Sequence, residues 1–118
     1  MYQRGDIISV PFPFTDLSET KLRPALIISN EMVNITEDLI IVMITSKQKD
    51  EVMSLPIENK NLSVPLPKSS FVNCHKVVTI ANSLIQKKIS EATPEFVGTV
   101  AERIQSLISD FKFSVTAG

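Results

Sequence analysis

Helical spacing occurs once in this chain, and it comes last. Phe96, Val97, Val100, Ile104, Leu107, Ile108 and Phe111 recur largely at steps of three and four residues, which aligns them along one side of an α-helix. Thr93 can cap the first amides, and Pro94 suits the first helical position, where its missing N–H would have had no helical partner. The spacing predicts a helix over 94–110 whose apolar stripe packs on the elements before it.

Upstream of Thr93 the segments are short, rich in β-branched residues and broken by proline. Ile7, Ile8 and Val10 predict a strand that closes at Pro11 and Pro13, which remove ladder donors. A stretch of turn formers with the apolar anchors Phe12, Phe14 and Leu17 then runs as a loop to Leu22. Residues 24–29 (PALIIS) and 39–45 (LIIVMIT) are almost continuously apolar, as adjacent strands buried on both faces would be. Weaker strands are expected over 54–57 and 70–72, separated by Pro56, Pro65 and Pro67, and another over 77–80. Strands followed by one terminal helix predict a mainly β fold, a closed barrel of about five to seven short strands lidded by the helix.

The chain has 118 residues, a length suited to one hydrophobic core, so a single domain over 1–118 is expected. Hydrophobic residues make up 43% and charged residues 21%, which excludes a disordered or fibrous chain. The longest apolar run, 39–44, is six residues, far short of the roughly 20 that cross a bilayer. With a polar MYQRGD start as well, a cytoplasmic protein with no membrane contact is expected. Cys74 has no second cysteine to pair with, and one histidine does not make a structural zinc site. Charge is uneven along the chain. Residues 47–88 hold seven basic side chains against three acidic ones, a local field suited to phosphates. Composition alone accommodates a merely solvated lysine surface equally well.

The three glycines, at 5, 98 and 118, form no phosphate loop, and no HExxH, EF-hand, GxSxG or CxxC pattern occurs. What remains is chemistry by isolated polar groups at strand ends. Arg23 precedes Pro24, which holds it extended at the start of a buried strand, and its planar fork of donors matches a phosphate. An arginine bridging back to Asp16 or Glu19 explains the same placement. Thr45-Ser46-Lys47 gathers two hydroxyls and an ammonium where a strand meets a charged loop, although a strand-ending Ser/Thr turn looks the same. His75, in Asn73-Cys74-His75-Lys76, offers an imidazole that could give or take a proton, but a lone histidine is more often structural or simply exposed. Cys74 reads as a small buried apolar residue.

Arg4-Gly5-Asp6-Ile7-Ile8, then Leu22-Arg23-Pro24-Ala25-Leu26-Ile27-Ile28-Ser29, then Ile44-Thr45-Ser46 resemble the MazF/PemK toxin family in order and spacing. The similarity continues through Val77-Val78-Thr79-Ile80 and the closing helix. The resemblance implies an SH3-like small barrel of the MazF/PemK/CcdB kind with a C-terminal α-helix. It implies a homodimer with single-stranded RNA across the subunit interface, and cutting to a 2′,3′-cyclic phosphate and a 5′-hydroxyl without metal or cofactor. It also implies a cognate antitoxin protein whose partly disordered tail folds into the RNA groove. Arg23 matches the family's catalytic arginine, and Thr45 and Ser46 match the hydroxyl position that holds the scissile phosphate. His75 stands where members often carry a carboxylate, so proton transfer here would fall to an imidazole. Candidate RNA contacts are Thr15, Ser18, Glu19, Lys21, Lys47, Asn73 and Lys76. The polar loop is shorter than in the family and lacks its glycines, so Glu19 matches the loop glutamate of some members only through a gap. The same barrel serves gyrase-inhibiting relatives that act by contact, and a catalytically silent homologue that still binds antitoxin would carry the same pattern.

Overall fold

In the computed structural model, which describes residues 1–12, 21–48 and 50–110, the two most apolar runs become the middle of a sheet. They form β2 (Lys21–Ile27) and β3 (Asp38–Thr45), antiparallel neighbours with Ala25 opposite Met43 and Ile27 opposite Ile41. With β1 (Asp6–Phe12), β4 (Ser54–Ile57), β5 (Ser70–Ala81) and β6 (Lys87–Glu91) they make a six-stranded sheet in the order β4-β5-β3-β2-β1-β6. Every ladder in it is antiparallel. A short helix, α1 (Glu31–Asn34), links β2 to β3, and α2 (Pro94–Ile108) closes the described chain.

The central strands are buried on both faces, as their composition demanded. On one face Ile7, Leu26, Val42, Ile44 and Val72 pack beneath Phe96, Val97, Val100 and Ile104 of α2. On the other, Ile8, Val10, Ala25, Ile27, Leu39, Ile41 and Met43 are covered by Tyr2, Val78, Ile80 and Ile85. Each fully buried aliphatic side chain contributes about 2 kcal/mol, and this double layer is what makes the strands rigid supports. The Thr93 side chain accepts from the Phe96 amide at 3.2 Å, with Pro94 in the first turn, as the sequence predicted. The helix stops at Ile108, two residues short of the expected end, and Phe111 lies outside the described residues.

The expected closed barrel is instead a curled half-barrel, because the ladder is open between β4 and β6. Pro56, Pro65 and Pro67 lack the N–H donors that would continue it. The chain after β4 laces across the gap. Leu62 bridges Ala92, the Ser63 amide donates to the Glu91 carbonyl at 2.9 Å, and the Ser90 hydroxyl donates to the Val64 carbonyl at 2.7 Å.

Residues 70–72 and 77–80 belong to one strand, not two. The β3 to β5 register slips from Val42 opposite Val77 to Ile44 opposite Val72, so residues 73–76 bulge against Met43. Two elements were not expected from the sequence. In β6 only Ile89 is apolar, and its charged neighbours are those of an edge strand. The four residues of α1 are too few for periodicity and depend on the Asn30 side chain, which accepts from the Met32 amide at 2.9 Å.

The Arg4-Gly5-Asp6 unit is a structural joint. Gly5 has φ +97, open to glycine at little cost. Arg4 Nη1 donates to the Ile28 carbonyl at 2.7 Å. Asp6, 2% exposed, accepts from the Gln3 amide at 3.0 Å and pairs with Lys88 Nζ at 3.3 Å. These contacts fasten β1 between β2 and β6. Among the described residues no helix is long and apolar enough to cross a membrane.

Candidate active site

The site opens where regular pairing fails. Strand β2 pairs with β1 from Lys21 to Leu26, Arg23 opposite Val10 and Pro24 opposite Ser9, but pairs with β3 only from Ala25 onward. Pro24 has no N–H to offer β3, so the two strands part at Arg23-Pro24. The Arg23 side chain, half-buried, stands in the opening.

A hollow of about 250 Å³ there is lined by Arg23, Met43, Ile44, Thr45, Ser46, Lys47, Asn73 and Lys76. A second, of about 230 Å³, shares Arg23, Ile44, Thr45 and Ser46 with the first and extends over Leu22, Pro24, Pro67, Lys68 and Ser70. Together they form an open trough with Arg23, Thr45 and Ser46 at its centre. Among the described residues four cationic side chains, Arg23, Lys47, Lys68 and Lys76, and no carboxylate line it.

The neighbours of these groups show why they stand there. Thr45 Oγ1 accepts from the Lys47 amide at 3.2 Å, the strand-ending turn foreseen as the alternative reading, and its hydroxyl hydrogen remains available to a ligand. Asn73 is buried and its Oδ1 accepts from Ser54 Oγ at 3.1 Å, which ties the bulge of β5 to β4. The same bulge carries Lys76 to the trough. Of the basic middle segment, Lys60 is engaged by Glu58 and Lys88 by Asp6 and Glu91. Lys47, Lys68 and Lys76 instead line the trough and make no ion pair among the described residues.

Five of the sequence-predicted residues besides Lys47 therefore meet in one place: Arg23, Thr45, Ser46, Asn73 and Lys76. His75 does not join them. It is exposed and lines neither hollow. Lys21 is exposed at the start of β2, also outside the lining. Thr15, Ser18 and Glu19 lie outside the described residues, as does Asp16. Cys74 faces the core beneath α2, and burial pushes its thiol up to about 11, with the nearby Arg103 guanidinium opposing the rise. The sequence reading missed Leu22, Pro67, Lys68 and Ser70. Lys68 figured there only as one charge in the basic middle segment. Among the described residues no three His, Cys, Asp or Glu side chains gather as a metal site would need.

Residues 3–108 match the family model of PemK-like, MazF-like toxins of type II toxin-antitoxin systems. The chain belongs to this toxin family. No curated protein matches the toxin in sequence. Solved structures share its fold. An endoribonuclease in complex with its cognate antitoxin, from a mycobacterial species, is 18% identical over 90% of this chain and 93% of its own, with a TM-score of 0.73. The MazE-MazF complex of Deinococcus radiodurans is 17% identical over 90% of this chain and 94% of its own, with a TM-score of 0.71. Toxin MazF-mt6 of Mycobacterium tuberculosis is 22% identical over 86% of this chain and 93% of its own, with a TM-score of 0.68. At such identities the likeness is one of fold, and the chemistry of this toxin rests on its own trough.

Proposed function

We propose that this toxin is an endoribonuclease that cuts single-stranded RNA in the trough and is restrained by a cognate antitoxin. The observation that carries the reading is the meeting of Arg23, Thr45 and Ser46 at the centre of a hollow whose charged lining, among the described residues, is cationic, a surface matched to a phosphodiester. In the reaction the ribose 2′-oxygen forms a bond to phosphorus while the bond to the 5′-oxygen breaks. The 2′-proton passes to a base, and the leaving 5′-oxygen takes up a proton, giving a 2′,3′-cyclic phosphate and a 5′-hydroxyl. Arg23 meets the charge that grows on the phosphate oxygens, and its fork holds two of them at once. The Thr45 and Ser46 hydroxyls orient the phosphate for in-line attack.

His75, next to Lys76 in the bulge, is the candidate proton carrier. A His75→Gln variant with an unchanged pH profile of cleavage would remove it from that role. The cationic lining supports charge neutralisation by side chains, so cleavage is expected to survive EDTA. Purified toxin is incubated with a long unstructured RNA in EDTA, with and without antitoxin. Cleavage that antitoxin suppresses supports the reading, and intact RNA at high enzyme concentration refutes it.

A second reading has one observation in its favour. Among the described residues neither a carboxylate nor an imidazole lines the trough of a single subunit, as a toxin that acts by contact, or a silent homologue, would allow. Antitoxin binding without RNA cleavage would select it. The working form is a homodimer in the cytoplasm, and light scattering that reports a monomer at micromolar concentration would contradict the dimer.

A further inference from the structure

Beside the central arginine, the trough has an arm to which no role has been given. It runs over Leu22, Pro67, Lys68 and Ser70, and a third hollow, of about 190 Å³, carries it past Lys68 and Ser69 to Asn59 and Leu62. From Arg23 on β2 across β3 and β5 to Ile57 on β4, the trough spans three inter-strand steps, roughly 14 Å at about 4.8 Å each. That is more than one phosphodiester requires, and suits a strand entering on one side of the cut and leaving on the other.

Among the described residues Lys68 is the charged side chain of this arm, and its position is held from both sides. Pro67 before it restricts the backbone. The Ser70 hydroxyl, itself only 8% exposed, donates to the Lys68 carbonyl at 2.8 Å and ties the turn to the start of β5. The ammonium is exposed with no ion pair among the described residues. Leu22, 56% exposed, and Pro67 add apolar surface to the same hollow.

We infer that Lys68 binds a backbone phosphate of the RNA flanking the scissile one, with the attached base resting on Leu22 and Pro67. Lys47 and Lys76 do the same for the strand on the other side. The inference rests on the RNA-cutting reading and adds to it a path for the strand. Lys68 is a substrate-binding residue with no part in bond breaking, so its loss acts on KM and not on kcat.

The test compares wild type, Lys68→Ala, Lys68→Glu and, as a control on β6, Lys87→Ala, with a fluorescently labelled unstructured RNA across a series of salt concentrations. Lys68→Ala raises KM about 5- to 10-fold with kcat within twofold of wild type. It lowers the slope of log affinity against log salt by about 0.7, the value for one phosphate contact on a single strand. Lys68→Glu raises KM further. On RNA truncated to the cut site on one side, Lys68→Ala loses its effect. On RNA truncated on the other side the effect persists, which identifies the side Lys68 serves. Melting curves of both variants check that the exposed substitution leaves the fold intact. Wild type that neither binds nor cuts RNA overturns both readings. Wild type that cuts, with Lys68→Ala matching Lys87→Ala in KM and salt slope, overturns the Lys68 assignment alone.

Discussion

Replacing Arg23 by alanine separates the two roles that its position permits, because stability and cleavage respond on different scales. Arg23 is half-buried and its backbone pairs with Val10 whatever the side chain. The substitution removes the guanidinium and two methylenes, since alanine keeps the β-carbon. Half-burial of two methylenes at about 0.8 kcal/mol each puts the packing loss at about 0.8 kcal/mol, and for a chain of 118 residues that part lowers Tm by about 3 °C. If the guanidinium meets charge in the transition state, its loss lowers kcat by about 10² to 10³, the range for one oriented donor. Arg23→Lys keeps the charge but not the fork, and is expected to recover at most about tenfold of that loss. Tm comes from calorimetry and kcat from single-turnover cleavage of labelled RNA on the same preparations. A variant that melts about 8 °C early yet cuts at the wild-type rate per folded molecule would refute the catalytic role and leave Arg23 as a tether.

Gly5→Ala forces a side chain into φ +97 and brings its β-carbon to 3.2 Å from the Ala92 carbonyl oxygen. The expected loss is about 1–2 kcal/mol, read as a lower denaturation midpoint with cleavage per folded molecule unchanged. Lys88 has its pKa raised, first by the hydrogen bond to Glu91 and further by Asp6. Its contribution to stability is therefore fully present below its ordinary value of 10.5 and is lost as pH rises beyond it. Wild type should accordingly melt above Lys88→Met at neutral pH, with the two curves converging in strong alkali; a gap that widens with pH would reverse the sign. With its thiol buried and held near pKa 11, Cys74 should resist alkylation at pH 8 in the native protein and react on unfolding. Rapid native labelling would show that α2 lifts off its side of the core.

What the sequence made legible is the part of the molecule built by regular pairing. The apolar runs around Leu26 and Ile41 could be read as central strands because each residue sees a neighbour on either side and a core on both faces. The terminal helix was legible from its spacing and from Thr93-Pro94. Strand β6 was not, because an edge strand is selected for charge and carries little apolar signal. The trough lies where regularity breaks. Pro24 parts β2 from β3, the 73–76 bulge sets four residues against Met43, and Pro67 with Ser70 fixes a turn no ladder continues. Hydrophobic period reports pairing, so it is silent at each of these breaks. Arg23, Thr45 and Ser46 were legible as polar groups at strand ends, each with a bland alternative until a family resemblance attached to them, and Lys68, which no motif marks, was not. His75 shows the converse. Its chemistry singled it out in the sequence, but position in a bulge is decided by tertiary register, and the register leaves it exposed outside the lining. A polar residue next to a proline that interrupts the sheet, as Arg23 and Lys68 are, is thus a better guide to this site than the intrinsic reactivity of the side chain.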